Sequence, residues 1–213
     1  MKSTLSLKPF HQGKLDLFCA MYAVLNALQI THNLRVLPAR ELFNETLLQL
    51  AAAPEALRRV LAQETDYLAL VDGMLKAQSH RFALQVEAPF AGCVPLTPIL
   101  PNTREPRAAG ASSPPSPERV WETVAAWLAG GERRAVIFRF IRYLLPGGPP
   151  VNLHWTTAHE IQGDTLHFFD CSHEECAIYS VPRGGFVTHA EAVHEGSLLC
   201  LEAHTLRLVG ARR

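Results

Sequence analysis

The apolar run from Phe18 to Ile30 constrains this chain most. It is thirteen residues long, interrupted by Asn26 and Gln29, and it reads as a helix too short to span a bilayer. A polar, glycine-containing approach, Gln12-Gly13-Lys14-Leu15-Asp16, gives way to it near Cys19. The thiol is therefore expected at a helix N-terminus. There the helix dipole and free backbone N–H groups favour the thiolate, which is the reactive form. Asp16 is a candidate N-cap, and a carboxylate that close opposes thiolate formation modestly unless it faces away.

Further helices are expected before the middle of the chain. Pro38 fits the start of one over 38–52, with apolar positions at Leu42, Leu47, Leu48 and Leu50. Pro54 opens another over 54–63, and Thr65 or Asp66 can cap a third over 66–78. Residues 82–86 alternate and suggest a short strand. Residues 101–116 lack large apolar side chains and are rich in Pro, Ser and Ala, the composition of a mobile loop, with a lid as the alternative. Ser116 and Pro117 restart a helix over 117–129, which Gly130-Gly131 ends. Strands are expected over 135–141, 154–161, 165–169, 177–181 and 197–207. The sequence thus predicts an α+β fold. One domain, 1–213, would have an N-terminal helical half (1–100) packed against a C-terminal antiparallel sheet half (117–213). A content of 48% hydrophobic and 19% charged residues in 213 suits one core, and a cleft between the halves is a natural place for a site.

Formal net charge is zero, so bulk charge argues for neither nucleic acid nor an anionic membrane surface as partner. Gly184-Gly185 lacks the following Lys-Ser/Thr of a phosphate loop. The segment Met1 to Pro9 is too polar for a secretory signal. Five irregularly spaced cysteines, at 19, 93, 171, 176 and 200, do not form a disulfide framework. The expectation is a cytoplasmic protein with reduced thiols.

The second informative segment runs from His154 to Asp170. It reads as strand, Gly163-Asp164 turn, strand, with a histidine at one end and an aspartate at the other. Joined with Cys19 it suggests a cysteine nucleophile with a His/Asp relay. His159 competes for the role of base. Strand alternation places 154, 156 and 158 on one face and 159 on the other, and the first strand position at a cleft mouth fits a base better. Each residue has a plainer reading. Cys19 and Cys200 suit a core, Asp170 suits a turn before Cys171-Ser172, Gln12 suits a loop, and Trp155 suits a core or a cleft wall. His167, Cys171, His173 and Cys176 invite a zinc reading, but their spacing is not a usual finger pattern, so no metal or organic cofactor is implied.

These residues resemble the papain-like cysteine peptidases. They are closest to the compact bacterial branch that includes the bacteriocin-processing peptidases. The likeness covers residues 12–30 and 151–172, where Gln, Cys at a helix start, His on one strand and Asp on the next occur in that order. It implies a papain-like fold, Cys19 as nucleophile, His154 as general base and later acid, and Asp170 as its orienter. It also implies that Gln12 donates its side-chain amide to the oxyanion. The reaction implied is hydrolysis of a peptide or isopeptide through a thioester. An acyltransferase or transglutaminase-like reaction, or a silent relative that binds a peptide or protein, is the alternative. Two features depart from the family pattern. Gln12 precedes Cys19 by seven residues, one more than in papain, and Cys19 is flanked by Phe18 and Ala20, which would narrow access to the thiol.

Overall fold

The computed structural model describes residues 7–12, 17–62, 64, 67–93, 112–172 and 178–212. Asp16, Thr65, Asp66, residues 101–111, His173 and Cys176, each given a role by the sequence, lie outside the described residues. Helices come first: α1 (Cys19–His32), α2 (Val36–Ala51), α3 (Pro54–Leu61) and α4 (Leu68–Phe82). Next come β1 (Leu84–Glu87) and α5 (Pro117–Ala129). The strands β2 (Arg134–Tyr143), β3 (Pro150–Gln162), β4 (Thr165–Phe168), β5 (Ser180–Pro182), β6 (Leu199–Leu201) and β7 (Arg207–Ala211) complete the chain. Among the described residues the strands form one sheet in the order β1-β7-β2-β3-β4-β5, with β6 beside β2 and every strand pair antiparallel. The fold is α+β, as expected.

Alternation along the strands divides the sheet between two cores. Ala135, Ile137, Trp155 and Val209 face α1 and pack with Met21, Val24, Leu25 and Leu28. Val136, Phe138, Phe140 and Ala158 face the other way, onto Val120, Trp121, Val124 and Trp127 of α5. Each large side chain fully buried in this way contributes ~1.5–3 kcal/mol. The α1 helix is buried nearly all round, because α2 and α4 cover the side that the sheet leaves free.

Several expectations hold locally. Ser116 Oγ accepts the Arg119 N–H at 3.2 Å, capping α5. Gly163, at φ +58°, turns β3 into β4. Others shift. The second helix begins at Val36, ahead of Pro38, and α4 runs on to Phe82, whose ring lies 5.5 Å from that of His32 at the end of α1. The single strand expected over 197–207 is two, β6 and β7, aligned in series along β2. Between them Ala203–Thr205 forms a 3-10 turn, and Thr205 Oγ1 accepts the Arg139 N–H at 2.9 Å. Beneath it, Glu202 is buried against the guanidinium of Arg139. Among the described residues no helix is long and apolar enough to cross a membrane.

Candidate active site

The site forms where β3 and the chain after β4 part company. Phe169 N–H still bonds Thr157 O at 2.7 Å, closing the ladder. Beyond it Asp170, Cys171 and Ser172 leave the sheet and pack, all buried, between His154 and the start of α1. The N-terminal arm lines the other side of this turn. Gln12 N–H donates to Cys171 O at 2.9 Å, and His11 Nδ1 lies 3.0 Å from Ser172 O. Asn26, fully buried on α1, ties these parts together. Its Oδ1 accepts the Phe10 N–H at 2.7 Å, and its Nδ2 donates to Phe10 O at 3.2 Å and Phe169 O at 3.4 Å.

His154 Nε2 is 2.7 Å from Asp170 Oδ1. The same nitrogen is 2.9 Å from Ser172 Oγ and 3.7 Å from Cys171 Sγ. Thr156 Oγ1 donates to Asp170 Oδ1 at 2.9 Å, and Ile178 N–H donates to Oδ2 at 3.2 Å. The carboxylate is thus aimed by three donors, two on β3 and one in the loop before β5. His154 and Thr156 reach it from one strand face, as alternation requires. His154 is not at the first position of its strand, as expected from sequence, but the fifth residue of β3, because pairing with β2 extends the ladder back to Pro150.

Electrostatics follow from these contacts. Burial favours the neutral imidazole, but hydrogen bonding with Asp170, then Cys171 and Cys19, prevails and holds the His154 pKa well above the ordinary 6.5. Burial likewise opposes charge on Asp170, yet the His154 and Thr156 hydrogen bonds hold its pKa below the usual 3.8. Burial pushes the Cys171 thiol up to about 11 despite the opposing pull of His154. The result is a carboxylate and an imidazole that favour the ion-pair form next to two cysteines.

Cys19 is the first residue of α1 and is 8% exposed. Phe18, the N-cap, supplies no side-chain cap to the first turn. The two departures around the thiol resolve differently. Ala20 is fully buried toward the core, while the Phe18 ring turns onto Phe43 of α2 at 5.9 Å, edge to face. Gln12 lies beside Cys171, with its Oε1 4.0 Å from that sulfur.

The structure therefore brings Gln12, Cys19, His154 and Asp170 to one place. It does not bring His159 there. That ring packs 5.6 Å from Phe169, and burial lowers its pKa. Trp155 is a core residue, as is Cys200, whose thiol burial pushes up to about 12. Of the four residues in the zinc reading, His167 stands on β4 opposite Ser180, and Cys171 Sγ lies 3.7 Å from His154 Nε2 instead. A different donor set is closer together: one ligand atom each of His154, Asp170 and Cys171 lie within 4.8 Å of one another. Its imidazole and carboxylate are already bonded to each other, which a metal would have to undo. Sequence reasoning missed Thr156, Cys171 and Ser172 as members of the site. Thr156 was findable as the i+2 neighbour of His154 on the same strand face. Comparisons with family models, curated proteins and solved structures return no match for this chain.

Proposed function

We propose that this chain is a cysteine-dependent hydrolase of peptides or isopeptides, on a papain-like plan. The observation that carries the reading is His154, held by Asp170 at 2.7 Å on the strand side and interacting with the Cys19 thiol at the start of α1. Asp170 takes the Nε2–H, so Nδ1 is the nitrogen that exchanges protons with the thiol and the leaving group. The Cys19 thiolate attacks the substrate carbonyl. The Cys19 backbone N–H, with the Gln12 side-chain amide, donates to the oxyanion that forms. The C–N bond then breaks as the His154 imidazolium protonates the departing amine, leaving a thioester on Cys19. Water, deprotonated by His154, attacks the thioester and releases the acid and the thiol. If an amine or a carrier thiol took the place of water, the same residues would run an acyl transfer.

A silent, peptide-binding relative is the second reading, favoured by the 8% exposure of Cys19. Turnover separates them. On any peptide the protein cleaves, Cys19→Ala is expected to remove activity by ~10³-fold or more, since the nucleophile and its base act as a unit. Activity retained in that variant would refute the mechanism. A protein that binds peptides but turns none over would favour the second reading.

A further inference from the structure

Cys171 has no place in the hydrolytic steps, yet it stands among the groups that perform them. Its sulfur lies 3.7 Å from His154 Nε2, 4.0 Å from Gln12 Oε1 and 3.6 Å from the carbonyl oxygen of Cys19. The Trp155 carbonyl oxygen is also 3.6 Å away. A buried cysteine ordinarily fills a gap among apolar side chains. This one meets polar atoms on every residue of the candidate site except Asp170.

The fold makes Cys19 and Cys171 neighbours across 152 positions of sequence, because the chain leaves the sheet after Phe169 and packs against the start of α1. His154 hydrogen-bonds both thiols as well as Asp170. The other described cysteines lie elsewhere. Cys200 packs with Ile141, Tyr143, Val187 and Val193, and Cys93 sits beside Ser112. The two neighbouring thiols also differ in readiness to react. Burial, joined by the charges of Cys19 and Asp170, pushes the Cys171 thiol up to about 11 against the pull of His154. Cys19 opens a helix and keeps some exposed surface, so an oxidant meets it first.

We propose that Cys171 is the resolving cysteine of a redox pair with Cys19, and that peroxide converts the two thiols into a disulfide that reversibly disarms the site. The Cys19 thiolate attacks one oxygen of hydrogen peroxide. The O–O bond breaks and the sulfur is oxidised to a sulfenic acid. The hydroxide released takes a proton from the His154 imidazolium and leaves as water. His154, now neutral, can take the Cys171 proton across 3.7 Å. The Cys171 sulfur attacks the sulfenic sulfur, the S–O bond breaks, and hydroxide leaves with that proton as a second water. Without Cys171 the sulfenic acid would be open to further oxidation to the sulfinic acid, which thiols do not reverse. This chemistry rests on the reactive Cys19–His154 pair of the hydrolase reading and needs no turnover.

The test treats the reduced, full-length protein at neutral pH with equimolar hydrogen peroxide. Remaining thiols are blocked with N-ethylmaleimide in denaturant, and a non-reducing digest is mapped by mass spectrometry. A cross-linked peptide joining Cys19 to Cys171 is expected, and dithiothreitol should release it and restore both thiols. In Cys171→Ser the cross-link should be lost, with Cys19 accumulating as a sulfinic acid that dithiothreitol does not restore. Cys200→Ser should leave the cross-link in place. Cys19 carried on to sulfinic acid in wild type without a cross-link would overturn the pair and leave the reactive thiol standing. So would a cross-link from either residue to Cys176, or an equal yield of the Cys19–Cys171 peptide from urea-unfolded protein. A Cys19 that peroxide leaves untouched would overturn the pair and the hydrolase reading together.

Discussion

Two thiols border His154, and their surroundings fit them for different work. Cys171 is fully buried and its thiol pKa is pushed up to about 11, so it remains protonated at neutral pH. Cys19 opens a helix, where the first-turn N–H groups can stabilise an anion, and keeps a small exposed surface. The His154–Asp170 pair between them carries a pH signature. The His154 pKa is raised above 6.5, so its contribution to stability is complete below that pH and is lost as pH rises through the folded-state value. The Asp170 pKa is lowered below 3.8, so its contribution is complete above that pH and is lost as pH falls through the folded-state value. The pair therefore stabilises most between about pH 4 and 6.5. The Tm difference between wild type and Asp170→Asn should be largest in that window and shrink on both sides. A difference independent of pH would mean that the two groups are not paired as ions.

At the scale of elements, Asn26 joins three segments that sequence separates: the arm at Phe10, the α1 helix and Phe169, just past the end of β4. Asn26→Leu strands buried backbone groups, each costing ~1–3 kcal/mol, so urea unfolding should show a loss on the order of 3 kcal/mol. Hydrogen exchange at the Phe10 amide should speed up. A loss under ~1 kcal/mol with unchanged exchange would show that the arm is held by other contacts. The same residue shows what a sequence can and cannot disclose. Asn26 reads there as an interruption of an apolar run, since its partners are far along the chain. Elements with local signals were legible: Ser116 and Pro117 for α5, Pro54 for α3, Gly163 for the β3–β4 turn. Elements decided at long range were not. Phe82 sits in an alternating stretch that suits a strand, and its contact with His32 accompanies a longer α4. Leu198 to Leu208 suits one strand, but Glu202 and Thr205 turn inward to the side chain and backbone of Arg139 and divide it. In the site, Cys19, His154, Asp170 and Gln12 were legible through type and order. Ser172 and Cys171 were not, because their approach to His154 depends on the chain leaving the sheet after Phe169.

Across the whole molecule, α1 lies between the helical layer and the sheet, and each side supplies part of the site. The sheet's own integrity depends on a buried charge. Arg139 and Glu202 pair where β6 gives way to β7, both almost inaccessible to water. Glu202→Gln leaves the guanidinium buried without its counter-charge, and the expected loss in urea unfolding is ~3–5 kcal/mol. A loss within ~0.5 kcal/mol would mean that solvent reaches the pair. The catalytic reading makes a sharper demand, that the thiol of the helical layer and the imidazole of the sheet act on each other. The measurement is the rate of iodoacetamide alkylation at each cysteine from mildly acidic to alkaline pH, in wild type and in His154→Ala, with adducts located by peptide mass spectrometry. Labelling is expected to be selective for Cys19, to persist below neutral pH and to be lost in His154→Ala, with Cys171 labelled only after unfolding. Slow labelling of Cys19 with the same profile in both proteins would contradict the catalytic reading, leaving a structural thiol beside an unrelated histidine.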